Sequence, residues 1–266
     1  TFALESVNQF SFRHAAAIVT VSDGKRARLV ELGVPRSKIA VIPNGVDLEY
    51  WERAQCDNRE QAIMLLKHSG VPDQSKVLLY AGVMNPPQGL DIVLAMARDL
   101  QNRGVTDIYT VLVGDGQQRQ ALQRLAADQR LSHVRFLPQQ SRETVAGLYG
   151  IATAILIPLR PRKDTHTVPS KVFEAMGSGK PILLSATGEA ADLVTNAGAG
   201  VVVNPGNASA MADAASILCL NSDLATSMGR SGKKCARERF DRRILNTRYQ
   251  RLLENVAGGS SDVHDF

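Results

Sequence analysis

Aromatic residues make up only 5% of this 266-residue chain, with a single tryptophan. No basic stretch is interleaved with stacking side chains, which argues against single-strand nucleic-acid binding, and no nucleic-acid partner is expected. Cysteine is almost as scarce. Cys56, Cys219 and Cys235 are far apart, odd in number and form no C-x-x-C. That excludes a disulfide framework or a zinc ligand set and fits a reducing cytoplasm. No apolar run approaches the roughly 18 residues of a membrane-spanning helix, and no signal-peptide pattern is present. Charge of one sign is also not dominant. Lys and Arg number 31 against 26 Asp and Glu, a net charge of +5. The densest basic run, residues 232–239, reads as a solvated helix face.

What is present is a core-forming composition, 44% apolar, with neither repeats nor low-complexity segments. Short runs rich in Val, Ile and Leu fall at residues 16–21, 39–42, 77–81, 109–113, 134–137, 154–157, 182–185 and 200–203. They are mostly apolar throughout, the pattern of strands covered on both faces. Between them lie amphipathic segments. Residues 90–103 place Leu90, Val93, Leu94, Ala97 and Leu100 on one stripe, and residues 117–130 do the same with Ala121, Leu122, Leu125 and Ala126. This alternation predicts an α/β fold, a Rossmann-like doubly wound parallel sheet, running from about Lys76 to about Phe240. The first two strands and the helix between them cannot bury both faces of a sheet. They are expected to be a remnant of a preceding α/β domain, spanning residues 1–47 and ending in the turn Pro43-Asn44-Gly45-Val46-Asp47 as a hinge. Residues 48–240 then form the main domain, and residues 241–266 a further helix and a loose tail. The start at Thr1, without methionine, is expected to reflect a truncation or a division of the protein between two chains.

The segment richest in candidate chemistry is Thr165-His166-Thr167-Val168-Pro169-Ser170-Lys171-Val172-Phe173-Glu174-Ala175-Met176-Gly177-Ser178-Gly179-Lys180-Pro181. Pro169 suits the first position of a helix, and Gly177 or Gly179 its end. Val172, Phe173 and Met176 make a buried face. Ser170, Lys171 and Glu174 lie together on the other. A lysine in a first helical turn opposes the helix dipole, and a bound anion there reverses the sign. Free first-turn N–H groups, a hydroxyl and an ammonium make a phosphate site, and Glu174 one turn on suits a ribose diol. An ordinary surface helix with a Lys–Glu pair fits the spacing equally well. Gly82, after an apolar strand, permits close backbone approach to a ligand. Gly114-Asp115-Gly116 begins like a dinucleotide fingerprint, but Arg119 stands where the third glycine belongs, so it reads as a tight turn. The backbone of Leu137-Pro138-Gln139-Gln140, on the same sheet edge, is placed to meet a base. His14, His68, His133 and His264 have no triad or metal partner, and residues 164–166 have no zinc spacing.

The order of motifs, PNGVD, YAG…GLD, LVGDG, FLP, PSKVFEAMGSGKP and GEAADLV…AGAGVVV, resembles the retaining glycosyltransferases of family 4, with the two-domain GT-B fold. The PSK form and Gln88-Gly89 resemble bacterial enzymes of surface-polysaccharide assembly. The resemblance implies that this chain is mainly the carboxy-terminal, donor-binding domain. It implies a UDP-sugar, favoured over a GDP-sugar, held by Gly82, Val83, Gln88, Leu137, Pro138, Thr167, Val168, Pro169, Ser170, Lys171 and Glu174, with Glu174 on the ribose. Neither a cofactor nor a metal is expected, because no D-x-D-like pair lies near the site. Implied partners are a saccharide or polyprenyl-linked acceptor and the missing amino-terminal domain or a partner chain. The implied location is cytoplasmic, with peripheral contact at the inner face of the cytoplasmic membrane.

Three departures qualify the carry-over. His166 stands at the first glutamate of the family's E-x7-E, so it is the sugar-proximal candidate. Val83 and Gln88 replace an arginine and a lysine, which removes two charges from the diphosphate. Lys171, with Arg160 or Arg162, is the candidate to replace them, and Lys171 is therefore the expected catalytic electrostatic group. The resemblance also implies that most of an amino-terminal domain is expected outside this sequence. A non-catalytic nucleotide-sugar-binding subunit of a split enzyme and a GT-B sugar-nucleotide epimerase share these motifs. A phosphorylase would need cofactor-lysine chemistry for which no residues stand out.

Overall fold

The computed structural model describes residues 10–161, 166–259 and 263. Arg162, Asp164, His264 and the Ser260-Ser261 tail, all considered above, lie outside the described residues. The continuously apolar runs form strands as expected, in two parallel sheets. Strands β1 (Ile18–Thr20) and β2 (Ile39–Val41) pair with each other, bridged by the helix Asp23–Glu31. The six-stranded sheet comprises β3 (Lys76–Ala81), β4 (Ile108–Val113), β5 (Val134–Leu137), β6 (Ala154–Pro158), β7 (Ile182–Ser185) and β8 (Gly200–Val203). Its spatial order is β5-β4-β3-β6-β7-β8. The order reverses between β3 and β6, so the loops after those two strands open a crevice at the carboxyl edge, where ligands of such sheets gather.

Helices cover both faces, which explains why β4, β6 and β7 are buried along their whole length. On one face, Val172, Phe173 and Met176 of the helix Ser170–Ser178 join Leu79, Val111, Ile155 and Leu184. Trp51, of the helix Leu48–Asp57, stacks there on Tyr149 at 5.1 Å. On the other face, Leu90, Val93, Leu94, Ala97 and Leu100 of the helix Leu90–Asn102 join Leu78, Leu112 and Leu183. The apolar stripe read from the sequence is thus the stripe that packs. Each fully buried side chain of this size stabilises the fold by about 1.5–3 kcal/mol against exposure.

The two sheets are stitched where the chain returns. Val46 N–H donates to the Phe240 carbonyl at 2.9 Å, and Arg242 N–H to the Val46 carbonyl at 3.0 Å. Asp241 caps the last helix, Arg242–Ala257, and Leu245 and Leu252 of that helix pack on Ala40 and Ile42 beside β2. The basic run of residues 232–239 lies on the helix Ser222–Arg239, with Gly232 and Ala236 buried beneath it. That helix packs close to the end of Ser170–Ser178. A Cβ at Gly229 would overlap the Gly179 carbonyl and meet the Lys180 Cα at 3.4 Å. Overpacking of this kind costs about 1–3 kcal/mol. Gly229→Ala is therefore expected to lower the thermal midpoint by several degrees, and an unchanged midpoint would contradict this packing.

Candidate functional site

Three loops meet at the carboxyl ends of β3, β4 and β5. Gly82, directly after β3, has φ 142°, and Gly114, directly after β4, has φ 136°. Both values favour glycine. A Cβ on Gly114 would overlap the Gly82 carbonyl. Gly114 N–H in turn donates to the Leu137 carbonyl at 3.1 Å. The glycines that open like a dinucleotide fingerprint serve here to knit loops together. Beyond them, Met84 N–H reaches the Asp115 carbonyl at 2.7 Å.

This close packing leaves a space above Gly82, and the Lys171 side chain fills it. A Cβ on Gly82 would meet Lys171 Cε and Nζ at 2.5 Å. Lys171 Nζ donates to the Tyr80 hydroxyl at 2.8 Å and to Gln88 Oε1 at 3.1 Å. The Tyr80 hydroxyl donates onward to the Val83 carbonyl at 2.6 Å. Tyr80 itself is fully buried, and burial raises its pKa, so the phenol stays neutral. The ammonium is thus held by neutral groups. Among the described residues no carboxylate lies within 4.0 Å of it. Burial pulls its pKa from 10.5 down to about 8, against a smaller upward pull from Glu174. An ammonium has three donors, and two are used.

Glu174 mirrors this state. It is half-buried one turn further along the same helix, and burial raises its pKa against the attraction of Arg142, Lys171 and Arg242. The simple Lys–Glu pair, an equal alternative from spacing alone, does not form. Both groups sit desolvated beside each other, each with hydrogen-bonding capacity left over. Ser170 is exposed at the helix start, and Val172 N–H turns back to the Pro169 carbonyl at 3.0 Å. The arrangement can take an anion and a diol side by side.

Other sequence expectations need adjusting. Pro169 is the N-cap, with φ −61° and ψ 142°, and not the first helical residue. The proline ring fixes only φ, and the extended ψ follows the loop that enters the helix. The Arg160 guanidinium pairs with Asp91 at 3.0 Å, an exposed contact. Thr167, Pro169, Gln88 and Arg160 line a pocket of about 360 Å³ beside the helix start, joined by Lys25 from the first helix. Leu137 is buried and Pro138 exposed, and the Pro138 carbonyl accepts from Gln140 Nε2 at 3.1 Å. Val83 is exposed and Val168 half-buried. His166 is exposed. Its carbonyl accepts from Ser22 Oγ, and its ring lies 3.8 Å from Glu189, which also accepts from Gly24 N–H at 2.7 Å.

Sequence reasoning assigned no role to Tyr80, Glu189 or Lys25. For Tyr80 a signal existed: it is the polar-tipped residue within the apolar run Val77–Ala81, two positions before the glycine.

A family model described as glycosyl transferases group 1 matches residues 65–235, and one described as glycosyltransferase family 4 matches residues 2–50. The chain belongs to the glycosyl transferases group 1 family. A GDP-mannose-dependent alpha-(1-6)-phosphatidylinositol monomannoside mannosyltransferase of Mycolicibacterium smegmatis is 27% identical over 92% of this chain and 63% of its own length. A D-inositol 3-phosphate glycosyltransferase of Nocardia farcinica is 29% identical over 76% of this chain and 44% of its own. The chain thus spans between 36% and 63% of the length of the curated relatives it matches. Among solved structures, Anabaena HepE in complex with UDP superposes with a TM-score of 0.78 at 18% identity, covering 93% of this chain and 66% of that one. Sucrose-phosphate synthase of Thermosynechococcus elongatus gives 0.79 at 20% identity, covering 98% and 63%. The α/β fold of these GT-B enzymes is the fold of this group 1 chain.

The lowered lysine pKa gives a prediction with a definite sign. Between about 8 and 10.5 the unfolded chain binds the Lys171 proton and the folded one does not, so this group makes stability rise with pH in that window. Chemical denaturation at several pH values is expected to show a gain across that range that Lys171→Met reduces. Equal slopes for both proteins would contradict the buried ammonium.

Proposed function

We propose that this chain is the donor-binding part of a retaining glycosyltransferase. It takes a sugar from a nucleotide-sugar, UDP-linked in preference to GDP-linked, for transfer to a saccharide or lipid-linked acceptor in surface-polysaccharide synthesis. The observation that carries the reading is the Lys171 ammonium, half-buried and held, among the described residues, by the neutral Tyr80 and Gln88. Such a charge is costly without an anion and strongly favourable with one. In this reading the diphosphate lies over Gly82, against Lys171 and the first-turn N–H groups of the Ser170–Ser178 helix. Glu174 accepts from the ribose hydroxyls, and the Leu137-Pro138 loop meets the base. Val83 and Thr167 to Ser170 border the diphosphate and the sugar, and His166 stands near the sugar.

Transfer breaks the bond between the anomeric carbon and the diphosphate oxygen, and the acceptor oxygen bonds to the same face. The negative charge that gathers on the departing diphosphate is where Lys171 acts, as a preorganised electrostatic partner. The proposal needs neither a metal nor a cofactor. The acceptor site and its membrane-facing surface belong to a further amino-terminal domain or partner chain, with the whole working at the inner face of the cytoplasmic membrane.

Two relatives bear on the base. The Anabaena structure contains UDP, and the mycolicibacterial enzyme is named for GDP-mannose. Calorimetric titration with UDP, GDP and ADP tests the reading. UDP is expected to bind the most tightly, and Glu174→Ala to weaken it at least about tenfold, the least that one lost charge-assisted hydrogen bond is worth. The absence of any nucleotide binding at millimolar concentration would remove the donor site from this chain.

A further inference from the structure

Two features of the sequence have no part in the donor site: Gly177-Ser178-Gly179-Lys180-Pro181, and the basic run of residues 232–239. The fold brings them to one place. At the amino-terminal edge of the six-stranded sheet, where β3 begins, lies a cavity of about 440 Å³. Lys76, Lys180, Arg230 and Lys233 line it, with the hydroxyl residues Thr153 and Ser222. These cations come from separate elements: the start of β3, the turn after the Ser170–Ser178 helix, and the Ser222–Arg239 helix. Gly82 follows the far end of β3, so the length of that strand, about 20 Å, separates this cavity from Lys171.

The charges here are unbalanced. Among the described residues, Lys76, Lys180 and Arg230 have no carboxylate within 4.0 Å. Lys233 has Glu52 at 3.1 Å, but Glu52 is shared with Arg237 at 3.0 Å. Lys180 is half-buried, and both burial and the nearby Arg59 lower its pKa. Arg230 is exposed at the cavity and the three lysines are half-buried, and a half-buried ammonium without a carboxylate partner, as at Lys180, opposes folding. Neutral polar side chains would fill the same space without that cost. Cys219 also lines the cavity, but burial raises its pKa and keeps it a neutral thiol, so the place is suited to binding and not to nucleophilic chemistry.

We infer that this cavity is a second anion site, distinct from the donor site, that takes the diphosphate group of a soluble phosphorylated compound. Three cations without carboxylate partners match the charge of a diphosphate, and the volume leaves room for a small organic group beyond it. Thr153 Oγ1 accepts from Val77 N–H at 3.0 Å, which leaves the hydroxyl proton available to donate.

Inorganic pyrophosphate is the probe, followed on the whole chain by amide NMR. The wild-type protein is expected to show saturable shifts at Thr153, Lys180 and Thr226. In the Lys180→Gln/Arg230→Gln protein those shifts should need pyrophosphate at least about tenfold more concentrated, the worth of a lost charge-assisted contact. In Lys171→Gln they should persist, which separates this site from the donor site whatever becomes of the donor-site reading. The neutral variants remove unpaired charge, so their thermal midpoints should not fall. Absence of the shifts in the wild-type protein, their survival in the double variant, or their loss in Lys171→Gln would each overturn the inference.

Discussion

Room for one ammonium group at the end of β3 governs how every loop around it is arranged. Gly82 is favoured by its φ of 142°, and a Cβ there would have to displace the end of the Lys171 side chain, 2.5 Å away. Gly114 must lack a Cβ, because the Gly82 carbonyl lies against it. The Leu137 carbonyl then closes the third loop through Gly114 N–H. The Ser170–Ser178 helix is set by its apolar side, where Val172, Phe173 and Met176 enter the core. That burial aims Lys171 across the crevice toward Tyr80. The position of a single charge therefore follows from core packing on one side and the absence of side chains on the other.

The same arrangement leaves free energy unspent. Lys171 is desolvated but paired only with a phenol and an amide, and Glu174 beside it is desolvated as well. Had the two formed an ion pair, an arriving diphosphate would first have to break it. Instead Tyr80 and Gln88 fix the ammonium in place without cancelling its charge. Preorganised polar groups of this kind need little rearrangement as charge develops on a ligand. Residues 83 and 88 carry no charge here, so among the described residues Lys171 is the cation at Gly82, with Lys25 and Arg160 in the neighbouring pocket.

The sheet was legible in the sequence because its strands are covered on both faces. Apolar runs such as Val77–Ala81 and Ala154–Ile157 show no alternation of face, and they fall within the observed strands. The helix stripe beginning at Leu90 was legible for the same reason. Pro169 was misplaced by one position because a proline's φ is common to a first helical residue and to the residue before it. The partners of Lys171 were not legible. Tyr80 is 91 residues away and Gln88 is 83. What joins them is the adjacency of β3 and β6, a crossover that no local pattern encodes. Glu189 escaped notice likewise, because its contact with Gly24 spans 165 residues between two separate sheets.

On the proposed function, Lys171 is a half-buried cation, without a carboxylate within 4.0 Å among the described residues, that receives a diphosphate. The most direct measurement is an NMR titration of the Lys171 amine itself, with and without UDP. The account predicts a pKa of about 8 in the free protein and an upward shift once UDP is bound. A pKa near the ordinary 10.5 that UDP leaves unmoved would contradict it.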